Sequence, residues 1–214
     1  MSLIFKKRGI IIFRQKKQAD LFLQFLTNQG ILPIKAKSAL KLKAKLRGIS
    51  ELFDLADWEL IKSKEIWILV GGKLFKRPLY LRKSLKKTLL LKALAEQTLL
   101  LARDKETKQV FNFWLNTIAK LKQISEDKLI IYFAFLSARL LAMEGYINIK
   151  EGTSILSPKI NLSFTRDLIN LPFFVLKRKN YSLEQYSSFV EEIIVYFSQN
   201  KLKATTFFLE KFAS

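Results

Sequence analysis

Residues 9–37 run GIIIFRQKKQADLFLQFLTNQGILPIKAK, three compact apolar stretches with polar and turn-forming residues between them. Gly9-Ile10-Ile11-Ile12-Phe13 is short and β-branched, which favours a strand. Leu21-Phe22-Leu23-Gln24-Phe25-Leu26 follows, and Asn28-Gln29-Gly30 supplies a turn. Ile31 to Lys37 predicts a third strand, with Pro33 near its start, where a missing N–H suits a strand beginning or an edge.

Downstream, Leu52 to Ile61 and Ile66 to Val70 predict a fourth and a fifth strand. Gly71-Gly72 and Pro78 are then expected to close the strand region. Five short strands in about 75 residues match an OB-fold barrel, a common platform for single-stranded nucleic acid. The count also fits other small barrels.

From residue 82 the periodicity becomes helical. Lys83 to Arg103 is rich in the good helix formers Leu, Ala and Lys. Val110, Phe111, Trp114, Leu115, Ile118 and Leu121 recur at the spacing of one buried helix face. Leu129 to Met143 is apolar nearly all round and stops at Gly145, as expected of the central helix of a bundle. A loop is expected over Ile147 to Asn161, with Gly152 and Pro158 in it. Ser182-Leu183-Glu184-Gln185 fits a capping box, and Leu183, Tyr186, Val190, Ile193, Ile194 and Phe197 share a face behind it. The expected class is therefore α+β: a five-stranded OB-fold barrel over residues 1–80, then an all-α helical domain over 81–214.

Composition narrows the chemistry. Half of the 214 residues are hydrophobic and 13% are aromatic, enough to bury a core and too many for a disordered basic tail. Lys and Arg number 38 against 18 Asp and Glu, a formal net charge of +20 that favours a polyanionic partner. Cysteine is absent, which removes disulfides, thiol nucleophiles and thiolate metal sites. Histidine is absent too, and with it the commonest general base and metal ligand. The acids are scattered, and pairs such as Glu191-Glu192 fall on the solvated face of a helical pattern. No catalytic site, cofactor or metal is expected. Met1-Ser2-Leu3-Ile4-Phe5 meets Lys6-Lys7-Arg8 before any signal-like apolar run, and the longest apolar stretch, Leu129 to Leu136, falls short of the ~18 residues of a spanning helix. The expected location is the cytoplasm.

The placement of charge matters more than its sum. No acid lies between Asp20 and Glu51, an interval that holds Lys35, Lys37, Lys41, Lys43, Lys45 and Arg47. A second acid-free interval, from Glu65 to Glu96, holds Lys73, Lys76, Arg77, Arg82, Lys83, Lys86, Lys87 and Lys92. Lys41, Lys43, Lys45 and Arg47 alternate with Leu40, Leu42, Ala44 and Leu46, so extended backbone would put every cation on one side. Such a row suits a phosphate backbone, where each contact releases counterions; the plainer alternative is an exposed hairpin in a Lys-rich chain. Lysine outnumbers arginine 29 to 9, which points to backbone binding with little sequence preference. Phe13, Phe22, Phe25, Phe53, Trp58, Trp67 and Phe75 are available for base stacking, though most are expected in the core. Phe75, flanked by Lys73, Lys76 and Arg77, is the best placed exception. Arg14 joins these cations as a candidate contact.

Several local motifs occur in a fixed order. Gly9-Ile10-Ile11-Ile12-Phe13-Arg14 precedes Ala19-Asp20-Leu21; Gly30-Ile31 leads through Ala36-Lys37-Ser38 into the basic stretch; and Lys45-Leu46-Arg47-Gly48 precedes Leu52-Phe53. Farther on stand Ala138-Arg139-Leu140-Leu141-Ala142-Met143-Glu144-Gly145-Tyr146 and Lys201-Leu202-Lys203-Ala204-Thr205-Thr206-Phe207-Phe208-Leu209. This succession resembles the RecO family, bacterial mediators of recombination and DNA repair.

The resemblance implies an N-terminal OB-fold and a helical C-terminal domain, binding to single-stranded and double-stranded DNA, annealing of complementary strands and help in loading a recombinase. It further implies cooperation with a RecR-like protein and with the acidic tail of single-strand-binding protein. One departure is plain: where many members carry a four-cysteine zinc ribbon, residues 147–161 hold no cysteine. A cation beside an apolar groove would be needed for the acidic tail, and Arg103 and Arg139 are the candidates. Two rivals stand beside this reading: a generic DNA- or RNA-binding OB-fold module, and a basic scaffold on anionic membrane built on Leu89-Leu90-Leu91 with Lys86, Lys87 and Lys92. A carboxylate-metal nuclease lacks an acid cluster in the basic region.

Overall fold

The computed structural model describes residues 3–40, 46, 48, 50–64, 66–102, 107–148, 153–154, 162–171, 173–176, 179 and 181–198. The chain forms two compact units. One comprises residues 1–80 with 102–116, the other 81–101 with 117–214.

In the first unit, β1 (Ile4–Lys17), β2 (Asp20–Leu26), β3 (Ile31–Ala36), β4 (Leu55–Ser63) and β5 (Ile66–Lys76) close into a barrel in the order β1-β2-β3-β5-β4, with β4 returning to β1. Only β3 and β5 run parallel. This is the OB-fold barrel that the strand spacing predicts, and helices follow it. Alternation sets its inside and outside: Leu21, Leu23 and Phe25 of β2 are buried, while Asp20, Phe22 and Gln24 are only partly covered. Trp58 fills the core, its ring 4.6 Å from that of Phe25 and its indole N–H donating to the Gly9 carbonyl at 2.9 Å. The run Ile10-Ile11-Ile12 is buried without alternation because the register of β1 against β2 slips between Ile11 and Phe13, a bulge that resets which face each residue meets.

Two strands are longer than their apolar cores. β1 extends through Lys6, Lys7 and Arg8 at one end and Arg14, Lys16 and Lys17 at the other, so six charged residues flank the predicted Gly9–Phe13 segment within one strand. β5 does not end at Gly71-Gly72 but continues to Lys76. The two glycines are there for close approach. A Cβ on Gly72 would meet the Asp57 carbonyl oxygen and the Trp58 ring at 3.0 Å each, and one on Gly71 would meet Glu59 Oε2 at 2.6 Å. Lys73, Phe75 and Lys76 are therefore strand residues.

The helices are α1 (Leu85–Leu101), α2 (Lys108–Leu121), α3 (Leu129–Met143), α4 (Leu162–Asn170), α5 (Phe173–Leu176) and α6 (Leu183–Ser198). In the second unit α3 is central and packs against α1, α4 and α6. Its near-uniform apolarity follows from that position: Leu129, Phe133, Ala134, Leu136, Leu140 and Leu141 are all buried. Gly145 ends it at φ +79°, a conformation that leaves the Tyr146 N–H to bond the Leu141 carbonyl at 2.8 Å. The expected capping box is present at α6: Ser182 N–H donates to Gln185 Oε1 at 2.9 Å, and Gln185 N–H to Ser182 Oγ at 3.2 Å. Tyr186, Phe189, Val190 and Ile193 form its buried face. The segment predicted as a plain loop after α3 contains a small hairpin, β6 (Ile147–Asn148) with β7 (Thr153–Ser154). Among the described residues no helix is long and apolar enough to cross a membrane.

Candidate nucleic-acid interface

The basic stretch lies between β3 and β4. Lys41, Lys43, Lys45 and Arg47 lie outside the described residues, but both ends of the stretch are described, and each is tied down by one carboxylate. At the start, Asp20 Oδ1 accepts the Ser38 N–H at 2.7 Å, and Lys35 Nζ lies 3.0 Å from Oδ2. The Leu40 N–H reaches the Ala19 carbonyl at 3.0 Å. The Ser38 hydrogen bond, followed by that of Lys35, holds the Asp20 carboxyl below the usual carboxylate range. Ser38 takes φ +54° to make this turn.

At the far end stands Asp54, with no exposed surface. Arg77 grips it with two arms, Nε to Oδ1 at 2.8 Å and Nη2 to Oδ2 at 2.5 Å, and Nη2 also donates to the Gly48 carbonyl at 2.6 Å. The pairing with Asp54 raises the Arg77 pKa. Ser50 Oγ donates to the Leu46 carbonyl at 2.9 Å, and Arg14 Nη1 lies 3.4 Å from Glu51 Oε2. Leu40 and Leu46 both pack against the barrel core. The two ends of the stretch thus rest on the barrel through apolar side chains and carboxylates.

A second cationic cluster sits on the outer face of β1, β4 and β5, where register sets Arg8, Asp57 and Lys73 side by side across the three strands. Arg8 donates to Asp57 from Nε at 2.9 Å and from Nη2 at 3.2 Å, and its Cζ lies 4.5 Å from the centre of the Phe75 ring. The Arg8 hydrogen bond dominates in lowering the Asp57 pKa, with the charges of Arg8, Lys6 and Lys73 adding to it. Phe75 is 46% exposed.

The candidate residues therefore divide by what already holds them. Arg14 and Arg77 are mostly covered and engaged with Glu51 and Asp54. Lys35 is shared between Asp20 and the Phe22 ring, 5.4 Å away. Lys37, Lys73 and Lys76 are exposed, as are Lys6, Lys16, Lys17 and Lys64, and among the described residues none of these seven has a carboxylate partner. Of the five described acids in residues 1–80, four are paired with cations of the same unit; Glu59 is the fifth. The barrel's negative charge is thus largely answered internally, and a surplus of lysine faces solvent. Phe25, Phe53 and Trp58 are core residues, whereas Phe13 and Phe75 are exposed.

Arg8 escaped sequence reasoning, together with Lys6, Lys16 and Lys17. The alternation of Lys6 and Arg8 around Lys7 is the signal for them, hidden because the β-branched apolar run begins only at Gly9.

In the helical unit, Arg103 lies outside the described residues. Arg139 is partly buried on α3; its Nη2 donates to the Leu171 carbonyl at 3.0 Å and its Cζ lies 4.3 Å from the Phe135 ring centre. Among the described residues no carboxylate pairs with it and its Nε has no hydrogen-bond partner. Burial lowers its pKa. Tyr132, Phe135 and Phe173 form an aromatic cluster here, with Tyr132 and Phe173 4.9 Å apart edge to face. Among the described residues no group of three or more acidic side chains is placed to hold a metal ion. No family model matches this chain, and no curated protein is similar to it in sequence.

Proposed function

We propose that this protein is a RecO-like recombination mediator that binds single-stranded and duplex DNA through its backbone and anneals complementary strands. The observation that carries this reading is the charge state of the barrel: an OB-fold whose acids are largely paired within the fold and whose unpartnered lysines face solvent. Lysines of this kind neutralise the phosphates of two strands together, lowering their repulsion so that base pairing proceeds; the protein makes and breaks no covalent bond. The anchored stretch around Lys41, Lys43, Lys45 and Arg47 is the principal contact, with Lys37, Lys73 and Lys76 extending it. Arg139, a desolvated cation beside aromatic rings, is the contact for the acidic tail of single-strand-binding protein, and a RecR-like protein is the second partner.

The membrane-scaffold reading needs Leu89, Leu90 and Leu91 facing lipid. All three are buried.

Equilibrium binding of a fluorescent single strand across a salt series tests the proposal. Engagement of about six phosphates predicts a log–log slope of roughly −4. Binding that is flat in salt, or absent, would contradict it.

A further inference from the structure

Phe75 is an unusual residue for the outside of a barrel. A ring placed for packing alone would have its faces under apolar neighbours, yet 46% of this residue is exposed and its described ring neighbour is a guanidinium. That guanidinium is fixed. Asp57 takes two of its donors, and Asp57 is itself held in register between Arg8 on β1 and Lys73 on β5. Around the pair stand Lys6, Lys73 and Lys76, all exposed and without a carboxylate partner among the described residues. Their surroundings therefore offer a flat π-surface, a planar cation stacked beside it, and positive charges spaced along β1 and β5, the two strands that flank β4.

We infer that Phe75 and Arg8 form a stacking site for an unpaired nucleobase, with Lys73, Lys76 and Lys6 holding the flanking phosphates. This inference rests on the nucleic-acid reading above and adds to it the form of ligand that the β1–β4–β5 face accepts. A base stacks on a ring or a guanidinium only when one of its own faces is free. Bases of a single strand meet that condition; bases inside a duplex are covered on both sides by their neighbours, so a duplex meets only the lysines of this face. The site is indifferent to sequence, because every base has a π-face.

The consequence is a direction for annealing. Two complementary strands enter as single strands and gain the stacking contact. Once they pair, their bases stack on one another and leave Phe75, so the duplex is held more weakly than its precursors and is released.

Affinities for an oligothymidylate and for a blunt-ended duplex of two separate strands, measured at one salt concentration, test this for the full chain and for Phe75→Ala, Phe75→Trp and Arg8→Gln. Removal of the ring is expected to weaken the single strand about five- to tenfold while changing the duplex by less than about twofold. Phe75→Trp restores single-strand affinity, and its added fluorescence is quenched by the oligothymidylate; Arg8→Gln weakens the single strand selectively. Equal losses on both ligands, or none on the single strand while the parent chain binds both, would overturn the inference and leave the wider reading standing. A parent chain that binds neither ligand would overturn both.

Discussion

Arg77 and Asp54 form a two-armed ion pair, Nε to Oδ1 at 2.8 Å and Nη2 to Oδ2 at 2.5 Å, around a carboxylate with no exposed surface. Removing one member of such a pair leaves an uncompensated buried charge, which costs about 3–5 kcal/mol. Arg77→Met is therefore expected to lower the unfolding free energy of the barrel, read from urea melts, by about that amount. The double variant Arg77→Met, Asp54→Asn recovers much of the loss, since it leaves no buried charge. Equal stability of the single variant and the parent would show that the pair does not hold the barrel.

The two mid-strand glycines of β5 are expected to respond differently to alanine. At Gly72 the obstacles are the Asp57 backbone carbonyl and the Trp58 ring, both 3.0 Å from the new Cβ and neither free to move. Gly72→Ala should cost about 1–3 kcal/mol. At Gly71 the obstacle is the end of the flexible Glu59 side chain, which can swing away, so Gly71→Ala should be the milder change. Thermal melts of the two variants check the order, and its reversal would contradict this account of the strand.

These glycines also mark where the fold could and could not be read from the sequence. Strand number, barrel class and the helix Leu129–Met143 were legible because long apolar runs record burial directly. Strand ends were not. Gly71-Gly72 looks like punctuation, because the Asp57 carbonyl and the Trp58 ring that demand a missing Cβ at Gly72 come from another strand. Lys6, Lys7 and Arg8 look as if they lie outside the strand because charge lowers strand propensity, yet the outside of a barrel is solvated and tolerates it. The acid-free interval marked the basic stretch in advance. That Asp20 and Asp54 secure its two ends depends on pairings 15 and 23 residues away in sequence, which spacing alone does not reveal.

Acid should loosen the barrel at Asp20 and Asp57. Both carboxyls are held below their ordinary range, Asp20 mainly by the Ser38 N–H and Asp57 mainly by Arg8. As pH falls, the unfolded chain takes up protons first. Their stabilisation is complete above the ordinary Asp value of about 3.9 and is lost as pH drops below it through the folded values. Asp20→Asn is expected to flatten the acid limb of a stability–pH curve. An unchanged limb would contradict the role given to Ser38.

Base should act on the helical unit. Burial pushes the Tyr132 pKa up to about 12, and the hydrogen bond with Asp167 pushes Tyr181 to about 12. The unfolded chain loses these protons near the ordinary Tyr value of about 10, so stability falls as pH rises from there through the folded values. Phenolate absorbance during an alkaline titration should show late-titrating tyrosines, one fewer in Tyr132→Phe. Titration of every tyrosine near the ordinary value would contradict the burial of Tyr132.

The central claim is that the barrel's basic stretch lets two strands meet. Its most direct test is the annealing rate of complementary oligonucleotides with the full chain and with the variant carrying Lys41→Glu, Lys43→Glu, Lys45→Glu and Arg47→Glu, its fold checked by circular dichroism. The account predicts that the parent chain accelerates annealing and that the folded variant does not. Annealing equally fast with the variant, or no faster with the parent chain than without protein, would contradict it.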